Sequence, residues 1–424
     1  MSAPIDVYVC DNHVGTLSED IASGLIDFKY LPGVPPGLAV SLFMPPDAPA
    51  VDYEGYNGLP PPFEVALPEG MLLEAIRSRF GKIIDVSSDL ALLRLVGRYT
   101  VGRVTFGGTL ERDTALEKQI LNAARTERAA LMLTEILNAS PQMFGISGVM
   151  PKMSVYGDDR LRPGTVASHG SIVKFDSANY RGASLVEYAC LKACAAAGLN
   201  VCPVQISPDM TSIIVERFDI AADGHRLGFE DACALSGIRR TGKYIGSAEH
   251  LFKMVNTFVH PEDQERDRLA LLKLLLMNDV LRNGDAHLKN FGLVYDDVMR
   301  PRLAPVFDVL TTQVWIRNDM PALTILGTDD GPPSSWLTGA QIGQLAGLAG
   351  VDAASVRRMR EDCADIALHT MIETLATCPM IPERAMLKRA LDIVGEAART
   401  LPRQAVQATE SPDQIPDMDP PTMC

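Results

Sequence analysis

The chain of 424 residues is predicted to adopt an α+β fold in which a strand-rich part precedes a mainly helical part. Three observations predict this class. Short runs of alternating apolar and polar residues recur up to residue 218, as in half-buried strands. Apolar residues at helical spacing dominate from Arg226 to Leu401. The composition, with 47% hydrophobic and 22% charged residues, is that of an ordinary globular protein with a sizeable core.

Charge and hydropathy argue against two classes of protein. A formal net charge of −14 argues against a protein that grips nucleic acid with its whole surface, although a small basic patch or a DNA-binding partner stays open. The most apolar run, LALLKLLLM at 269–277, is interrupted by Lys273 and is shorter than the about 20 residues of a membrane span. The start, MSAPIDVYVC, has no secretory pattern. We therefore expect a cytoplasmic protein without a membrane segment.

The eight cysteines are scattered along the chain. Cys190 and Cys194 stand one helical turn apart, but no second pair follows at the spacing of a zinc site. Reduced cytoplasmic thiols are the simpler expectation.

Residues 1–108 are predicted to form an N-terminal α/β subdomain. Short strands (IDVYVC, HVGTL and LIDFKY, within 5–31) come first, and Pro-rich loops follow at 32–37, 45–49 and 60–62. A helix-like stretch, MLLEAIRSRF, and a closing strand, GRVTF, complete this unit near Gly108.

Residues 109–225 and 226–402 are predicted to form two further units. The first has a long helix from Leu116 to Leu137, strands at 152–156, 171–175 and 211–218, and a helix at 184–198. The second is helical except for FGLVY (291–295) and PRLAPVFDV (301–309). Residues 403–424 are rich in proline and acids without a hydrophobic face, which predicts a disordered tail.

The stretch NGDAHLKNFG at 283–292 carries the strongest chemical signal. Asp285 and Asn290 have the D-x-x-x-x-N spacing of a kinase catalytic loop, in which the Asp orients the attacking hydroxyl and the Asn holds a metal ion. Two short strands then lead to Asp308, in the kinase order for a second Mg²⁺-binding acid. The alternative for each residue is a solvated turn. The conjunction favours a bilobal, protein-kinase-like fold with an extra N-terminal α/β subdomain and a mainly helical C-lobe.

Lys174 lies in the strand-like SIVKF, where a kinase lysine reaches the phosphates and is held by a helix glutamate. Glu187 is the candidate partner. Its alternative role is helix capping, because Ser184 and Glu187 form S-x-x-E at a helix start.

Two further segments are candidates for the nucleotide site. In GISGVMPK (145–152), the small residues Ser147 and Gly148 let backbone N–H groups approach phosphates, and Lys152 adds charge; a turn with a capping serine is the alternative. In VERFD (215–219), Glu216 and Phe218 would meet adenine at a hinge. The alternative there is a strand end with a solvated Glu216–Arg217 pair.

These residues together resemble the HipA family of bacterial serine/threonine kinases, the toxin halves of HipA/HipB-type toxin–antitoxin pairs. The resemblance runs from about residue 6 to residue 400. The N-terminal matches are HVGTL, DFKYLPG and AVSLFMP, and the later ones are ISGVMPK, VEYACLKACAAAGLNV, IIVERFD and NGDAHLKNFG. There are two departures from the family pattern: Ala234 stands in place of a frequent glutamine, and residues 149–151 (VMP) stand where other members have polar residues. They concern regulation and substrate choice.

The resemblance implies specific roles. Asp285 would be the catalytic acid, Asn290 and Asp308 would hold Mg²⁺, and Lys174 would contact the ATP phosphates. Glu216 and Phe218 would frame adenine with His287 nearby. Ser147 matches the serine whose autophosphorylation silences family members, because a phosphate adds about 1.5–2 negative charges beside those of ATP.

The resemblance also implies the function and partners. The chain would be an ATP- and Mg²⁺-dependent protein kinase toxin that phosphorylates an aminoacyl-tRNA synthetase, such as glutamyl-tRNA synthetase. A HipB-like helix-turn-helix antitoxin would supply contact with operator DNA. Two alternatives stay open: a kinase-fold phosphotransferase for a small molecule or lipid, whose loops also read G-D-x-x-x-x-N, and a non-catalytic module that binds a repressor.

Overall fold

The structure is a computed structural model and describes residues 4–20, 22–49, 53–80, 88–108, 114–125, 152–155, 170–325 and 335–400. Within these ranges, every helix is too short or too polar to cross a membrane.

The N-terminal subdomain is built on a four-stranded antiparallel sheet with strand order β3-β2-β1-β4. Its first hairpin turns at Cys10 and Asp11, both with positive φ, as a tight two-residue hairpin requires. Ser88 begins the last helix by accepting a hydrogen bond from the N–H of Ala91. The elements are β1 (Ile5–Val9), β2 (Asn12–Glu19), β3 (Ile26–Tyr30), α1 (Pro61–Glu64), α2 (Gly70–Phe80), α3 (Asp89–Val96) and β4 (Val104–Phe106).

A second antiparallel sheet has the strand order β5-β6-β8-β7. Side chains alternate between the two faces of this sheet, so each face packs against a different core. Val173 and Phe175 are buried with the core of the N-terminal subdomain, whereas Ile213 and Val215 are buried with the helical core. The elements of this part are α4 (Thr114–Ala124), β5 (Lys152–Val155), β6 (Ser171–Phe175), α5 (Ala183–Ala196), β7 (Val204–Ile206) and β8 (Ser212–Glu216).

The remaining part is mainly helical. Its central helix α8 (Gln264–Leu281) contains the apolar run and contacts the other long helices, so the sides of that run are buried in protein. A small antiparallel sheet of β9 (Gly228–Asp231), β10 (Gly292–Tyr295) and β11 (Arg302–Leu303) lies beside it. The other helices are α6 (Ala232–Leu235), α7 (Ala248–Phe258), α9 (Gly339–Ala349), α10 (Ala353–Thr377) and α11 (Arg384–Arg399).

The predicted elements differ from the observed ones mainly in length. The helix expected over 116–137 is described from Thr114 to Ala124, and its remainder, like the tail 403–424, lies outside the described residues. The strand expected over 301–309 is only two residues long, because Pro305 has no N–H for a ladder and Asp308 has a φ of 56°. Val306 instead donates to the carbonyl of Asn200 (2.7 Å).

Buried polar contacts join the N-terminal subdomain to the rest of the chain. Glu230 accepts hydrogen bonds from the Ser41 hydroxyl and from the N–H of Leu42 (2.8 Å). The guanidinium of Arg103 lies 4.9 Å from the ring centre of Tyr295. The subdomain is therefore held against the segment that contains β9 and β10.

Candidate active site

Four charged side chains form a network where β5, β6 and α5 face the Asp308 segment. The ammonium group of Lys174 contacts both the Glu187 and the Asp308 carboxylates. Lys152 lies 3.2 Å from the other oxygen of Asp308. Lys152 and Lys174 are cross-strand partners, so the sheet register places both ammonium groups at one carboxylate. Two cations and two anions thus balance in a mostly buried site.

Local structure explains why Lys174 and Glu187 meet. Because Val173 and Phe175 point into the N-terminal core, Lys174 points to the opposite face, where α5 lies. The helix begins after Gly182, and the Asp176 carboxylate accepts the N–H groups of Gly182 and Ser184 (2.5 and 2.8 Å).

Helix capping, the alternative role for Glu187, is therefore not seen. Ser184 lies inside the helix, and its hydroxyl donates to the carbonyl of Thr211 (3.1 Å). The carboxylate of Glu187 is turned towards Lys174 instead.

The network sets the charge states of its members. Burial opposes the charge on Lys174, but the carboxylates of Asp308 and Glu187 outweigh it and raise the pKa of this lysine. Burial likewise opposes ionisation of Asp308, but Lys152 and Lys174 hold its pKa well below the usual range. Burial lowers the pKa of Lys152. Lys174 and Asp308 are thus charged at neutral pH, and Lys152 gives up its proton most readily.

The loop after α8 brings Asp285 and Asn290 to the same site. The side-chain amide of Asn290 donates to the carbonyl of Asp285 (3.0 Å) and to that of Asp308 (3.5 Å). One amide therefore connects the two segments, and its carbonyl oxygen stays available to a ligand. The loop is anchored by Gly284, whose N–H donates to the hydroxyl of Thr312 (2.7 Å).

The carboxylate of Asp285 has a hydroxyl partner. The hydroxyl of Tyr244 donates to Oδ1 of Asp285 at 2.7 Å. Burial raises the pKa of Asp285, and the bond from Tyr244 and the charge of Lys243 act against that rise. A carboxyl with a raised pKa is suited to accept a proton from an attacking hydroxyl.

His287 is buried beside Asp285, and its Nε2 lies 3.9 Å from Oδ1 of Asp285. Burial, followed by the charge of Lys243, lowers the pKa of His287 to about 3. Its Nδ1 has no hydrogen-bond partner among the described residues. The ring is therefore neutral at physiological pH and lines the cleft with one unpaired polar atom.

Lys289 is buried and is paired with two acidic side chains. Its ammonium group is buried 3.3 Å from Asp231 and 3.4 Å from Glu69. Glu69 belongs to the N-terminal subdomain and also pairs with Lys243 (2.7 Å). Lys289 therefore ties the Asp285 loop to that subdomain.

The segment after β8 has the form of a hinge. The N–H of Glu216 donates to Pro203 and that of Arg217 to Gly170, both at 3.0 Å, so successive N–H groups point to opposite sides. The N–H of Phe218, in the bend that follows the strand, is a further donor of this segment. Within the described part of the chain it has no hydrogen-bond partner. This edge can therefore bond a planar ring with donor and acceptor atoms.

Aromatic rings close this end of the cleft. Phe218 stacks on Phe307 with ring centres 5.5 Å apart, and Phe229 meets both rings edge-on. The alternative of a solvated Glu216–Arg217 pair does not hold, because Arg217 is buried and its guanidinium contacts Asp219.

The cleft has a volume of about 320 Å³, within the range of small-ligand pockets. Apolar and aromatic residues of the hinge segment, the charged network and Asp285 all line it. The predicted site residues that line it are Lys152, Lys174, Glu187, Glu216, Phe218, Asp285, His287, Asn290 and Asp308. Ser147 and Gly148 lie outside the described residues.

The donor set at Asp308 and Asn290 fits a hard divalent cation. Both residues offer oxygen atoms at the same cleft, and the Asp308 side chain is 25% exposed. No group of three or more His, Cys, Asp or Glu among the described residues is arranged to hold a metal. A cation there would depend on phosphate and water oxygens for its other ligands, as Mg²⁺ commonly does. Cys190 and Cys194 are buried in the core.

Three residues of this site were not predicted from the sequence. Tyr244 lies between Gly242 and Gly246, and nothing in its spacing indicates contact with Asp285. Asp231 and Glu69 are single acids in ordinary contexts, and their pairing with Lys289 depends on contacts between residues far apart in sequence.

Comparisons with known proteins identify the family of this chain. Residues 144–371, more than half of the chain, match the family model of the HipA-like C-terminal domain, and residues 5–107 match that of the HipA N-terminal domain. A protein named putative kinase Y4dM from Sinorhizobium fredii is 27% identical over 306 residues, 67% of this chain and 70% of the relative. Putative kinase Y4mE from the same organism is 34% identical over 209 residues, 47% of this chain and 48% of the relative.

The fold is similar to that of HipA from Shewanella oneidensis MR-1, solved in complex with HipB and its operator DNA. The TM-score is 0.67 at 17% sequence identity, over 93% of this chain and 96% of that chain. The predicted α+β, kinase-like fold and the predicted family are thereby confirmed. This chain belongs to the HipA family.

Proposed function

We propose that this protein is an ATP- and Mg²⁺-dependent serine/threonine protein kinase that acts as the toxin of a toxin–antitoxin pair. The observation that carries the proposal is the simultaneous contact of Lys174 with Glu187 and Asp308, in one cleft with Asp285 and Asn290. A phosphoryl transferase needs a fixed cation for phosphate oxygens, metal ligands and a carboxylate near the attacking hydroxyl.

The nucleotide would lie along the cleft. Adenine would bond to the carbonyl of Glu216 and the N–H of Phe218, between the apolar side chains of the hinge end. Lys174 and Lys152 would hold the phosphates, with Lys174 oriented by Glu187. A magnesium ion held by Asp308 and Asn290 would neutralise phosphate charge.

Phosphoryl transfer would occur at Asp285. The oxygen of an acceptor hydroxyl would attack the γ-phosphorus, the bond from that phosphorus to the β,γ-bridging oxygen would break, and ADP would leave. The hydroxyl proton would pass to the Asp285 carboxylate, whose raised pKa suits this role. Neutral His287 adds no positive charge beside that carboxylate.

The partners and regulation are proposed from family membership. The acceptor is an aminoacyl-tRNA synthetase, whose modification would stall translation. A HipB-like antitoxin, the kind of protein bound to the Shewanella HipA, would make the DNA contacts for which a net charge of −14 is unsuited. Autophosphorylation of Ser147 would silence the enzyme by adding negative charge beside the ATP phosphates.

A transfer assay tests the proposal. The purified chain is incubated with radiolabelled ATP, Mg²⁺ and a heat-treated bacterial lysate, and labelled proteins are identified by phosphosite mass spectrometry. We expect label on a synthetase and on Ser147. Asp285→Asn should lower transfer by about 10²–10⁴-fold while ATP binding is kept.

The matched control is Asp296→Asn, the same change at an exposed site 72% accessible in its side chain, which should transfer normally. Label confined to small molecules would point to a small-molecule phosphotransferase. Growth inhibition that survives Asp285→Asn would favour the non-catalytic module.

A further inference from the structure

Tyr244 makes a contact that the proposed kinase mechanism does not use. Its hydroxyl donates a 2.7 Å hydrogen bond to Oδ1 of Asp285. In the proposed reaction, the acceptor hydroxyl must make a contact of the same kind, from a neutral O–H to this carboxylate. The tyrosine hydroxyl thus occupies Oδ1 of Asp285, a carboxylate oxygen to which an acceptor hydroxyl would bind.

The charge state of Tyr244 keeps it in this role. Burial of the hydroxyl and the nearby Asp285 carboxylate raise the pKa of Tyr244, so that it stays a neutral donor throughout the physiological range. In this respect it matches the hydroxyl of a serine or threonine.

The tyrosine can leave without disturbing the core. Tyr244 is 49% exposed. Its ring centre lies 5.1 Å from the ring centre of His287 and 5.3 Å from the ammonium nitrogen of Lys243. The backbone beside it is fixed, because Leu288 donates to the carbonyl of Lys243 (3.1 Å) and Lys243 pairs with Glu69. A side-chain rotation is therefore sufficient to uncover Asp285.

We propose that Tyr244 is a placeholder for the acceptor hydroxyl: it occupies Oδ1 of Asp285, keeps water from acting as acceptor, and is displaced by a protein acceptor. This inference rests on the proposed kinase function. It makes Tyr244 a specificity-determining residue, since small acceptors and water do not bring enough binding free energy to displace it.

The test compares Tyr244→Phe with the unaltered chain in two reactions. The first is hydrolysis of ATP without an acceptor, measured as inorganic phosphate release; water attacks the γ-phosphorus, ADP leaves, and one water proton passes to Asp285. The second is phosphorylation of N-acetylserinamide, a small hydroxyl probe. A hydrogen bond to a charged group contributes about 1.5 kcal/mol. In Tyr244→Phe the acceptor no longer has to displace this bond, so both rates should rise roughly tenfold.

The matched control is Tyr8→Phe, the same atom removed in the N-terminal sheet, which should leave both rates unchanged. Because Tyr244→Phe removes one hydrogen bond at a half-exposed ring, we expect this variant to melt within a few degrees of the unaltered chain, and Tyr8→Phe to melt at the same temperature. A Tyr244→Phe rate that is unchanged or lower would overturn the inference, because it would make Tyr244 a positioning residue or a bystander. Phosphate found on Tyr244 itself would overturn it as well.

A further variant separates this inference from the proposed function. Asp285→Asn should show neither reaction by itself. When it is combined with Tyr244→Phe, it should abolish the rate increase that Tyr244→Phe causes. If Asp285→Asn hydrolyses ATP as fast as the unaltered chain, the proposed function fails. If it is silent and Tyr244→Phe shows no gain, only the placeholder role fails.

Discussion

Replacing Glu187 with glutamine tests whether the buried network orients Lys174 for ATP. Glu187 is fully buried, and one of its oxygens contacts the Lys174 ammonium group. Glutamine has the same shape and keeps an oxygen that accepts a hydrogen bond, but it carries no charge. The change therefore removes the charge of one partner, so that Lys174 keeps a neutral hydrogen bond at position 187 and the charged contact with Asp308.

The size of the effect follows from that contact. A hydrogen bond to a charged group contributes about 1.5–3 kcal/mol net, and a neutral one about 0.5–1.5, so the hold on Lys174 weakens by about 1–2 kcal/mol. We expect kcat/KM for ATP to fall roughly 5–30-fold. Removing one partner of an isolated buried ion pair costs about 3–5 kcal/mol of stability. The free energy of unfolding should fall by less than this here, because Asp308 still pairs with Lys174. Lys152, whose pKa burial lowers, can release the excess proton.

The assay is steady-state phosphoryl transfer with varied ATP, together with urea unfolding of the same preparation. Glu262→Gln is the matched control, because Glu262 is also ion-paired, to Arg300 at 2.8 Å, but its side chain is 75% exposed. Such a surface pair contributes about 0–1 kcal/mol to stability, and no change in kcat/KM is expected. A Glu187→Gln enzyme within twofold of the unaltered one would refute the reasoning that this glutamate orients Lys174.

Two further predictions concern the Asp285 loop. Lys289→Met leaves the buried Asp231 carboxylate without its cation, whereas Glu69 keeps its pair with Lys243. We expect the free energy of unfolding to fall by about 3 kcal/mol in urea titrations, the low end for breaking a buried pair, and Lys253→Met at an exposed position should change little. The pKa of His287 falls from 6.5 to about 3 on folding. Between these pH values the unfolded chain binds a proton that the folded chain does not bind. The stability that this residue contributes above pH 6.5 is therefore lost as the pH falls towards 3. Unfolding of His287→Gln at pH 7 and pH 5 should show a smaller loss than the unaltered chain; an equal loss would mean that another group is responsible.

The contacts of Lys289 and Lys243 give the N-terminal subdomain a direct part in the site. Glu69, on the connection before α2, pairs with both lysines, one in the Asp285 loop and the other beside Tyr244. Val65 and Val101 of the same subdomain also line the cleft. The subdomain is therefore part of the wall of the candidate active site.

Local sequence patterns predicted much of this arrangement. The alternation in SIVKF determines that Lys174 faces away from Val173 and Phe175, because successive side chains of a strand point to opposite faces. The D-x-x-x-x-N spacing places Asp285 and Asn290 on one short loop. Both features depend on neighbours within a few residues, which is why the sequence by itself was sufficient for them.

Only the tertiary structure decided which charges meet. Asp308 contacts Lys152 and Lys174, which precede it by 156 and 134 residues, and Asp285 accepts from Tyr244, 41 residues before it. No local pattern distinguishes a lysine that is solvated from one that, like Lys289, is buried against an acid of another segment. Such pairs depend on the packing of three units against one another, because burial raises the cost of an unpaired charge and so selects the partners.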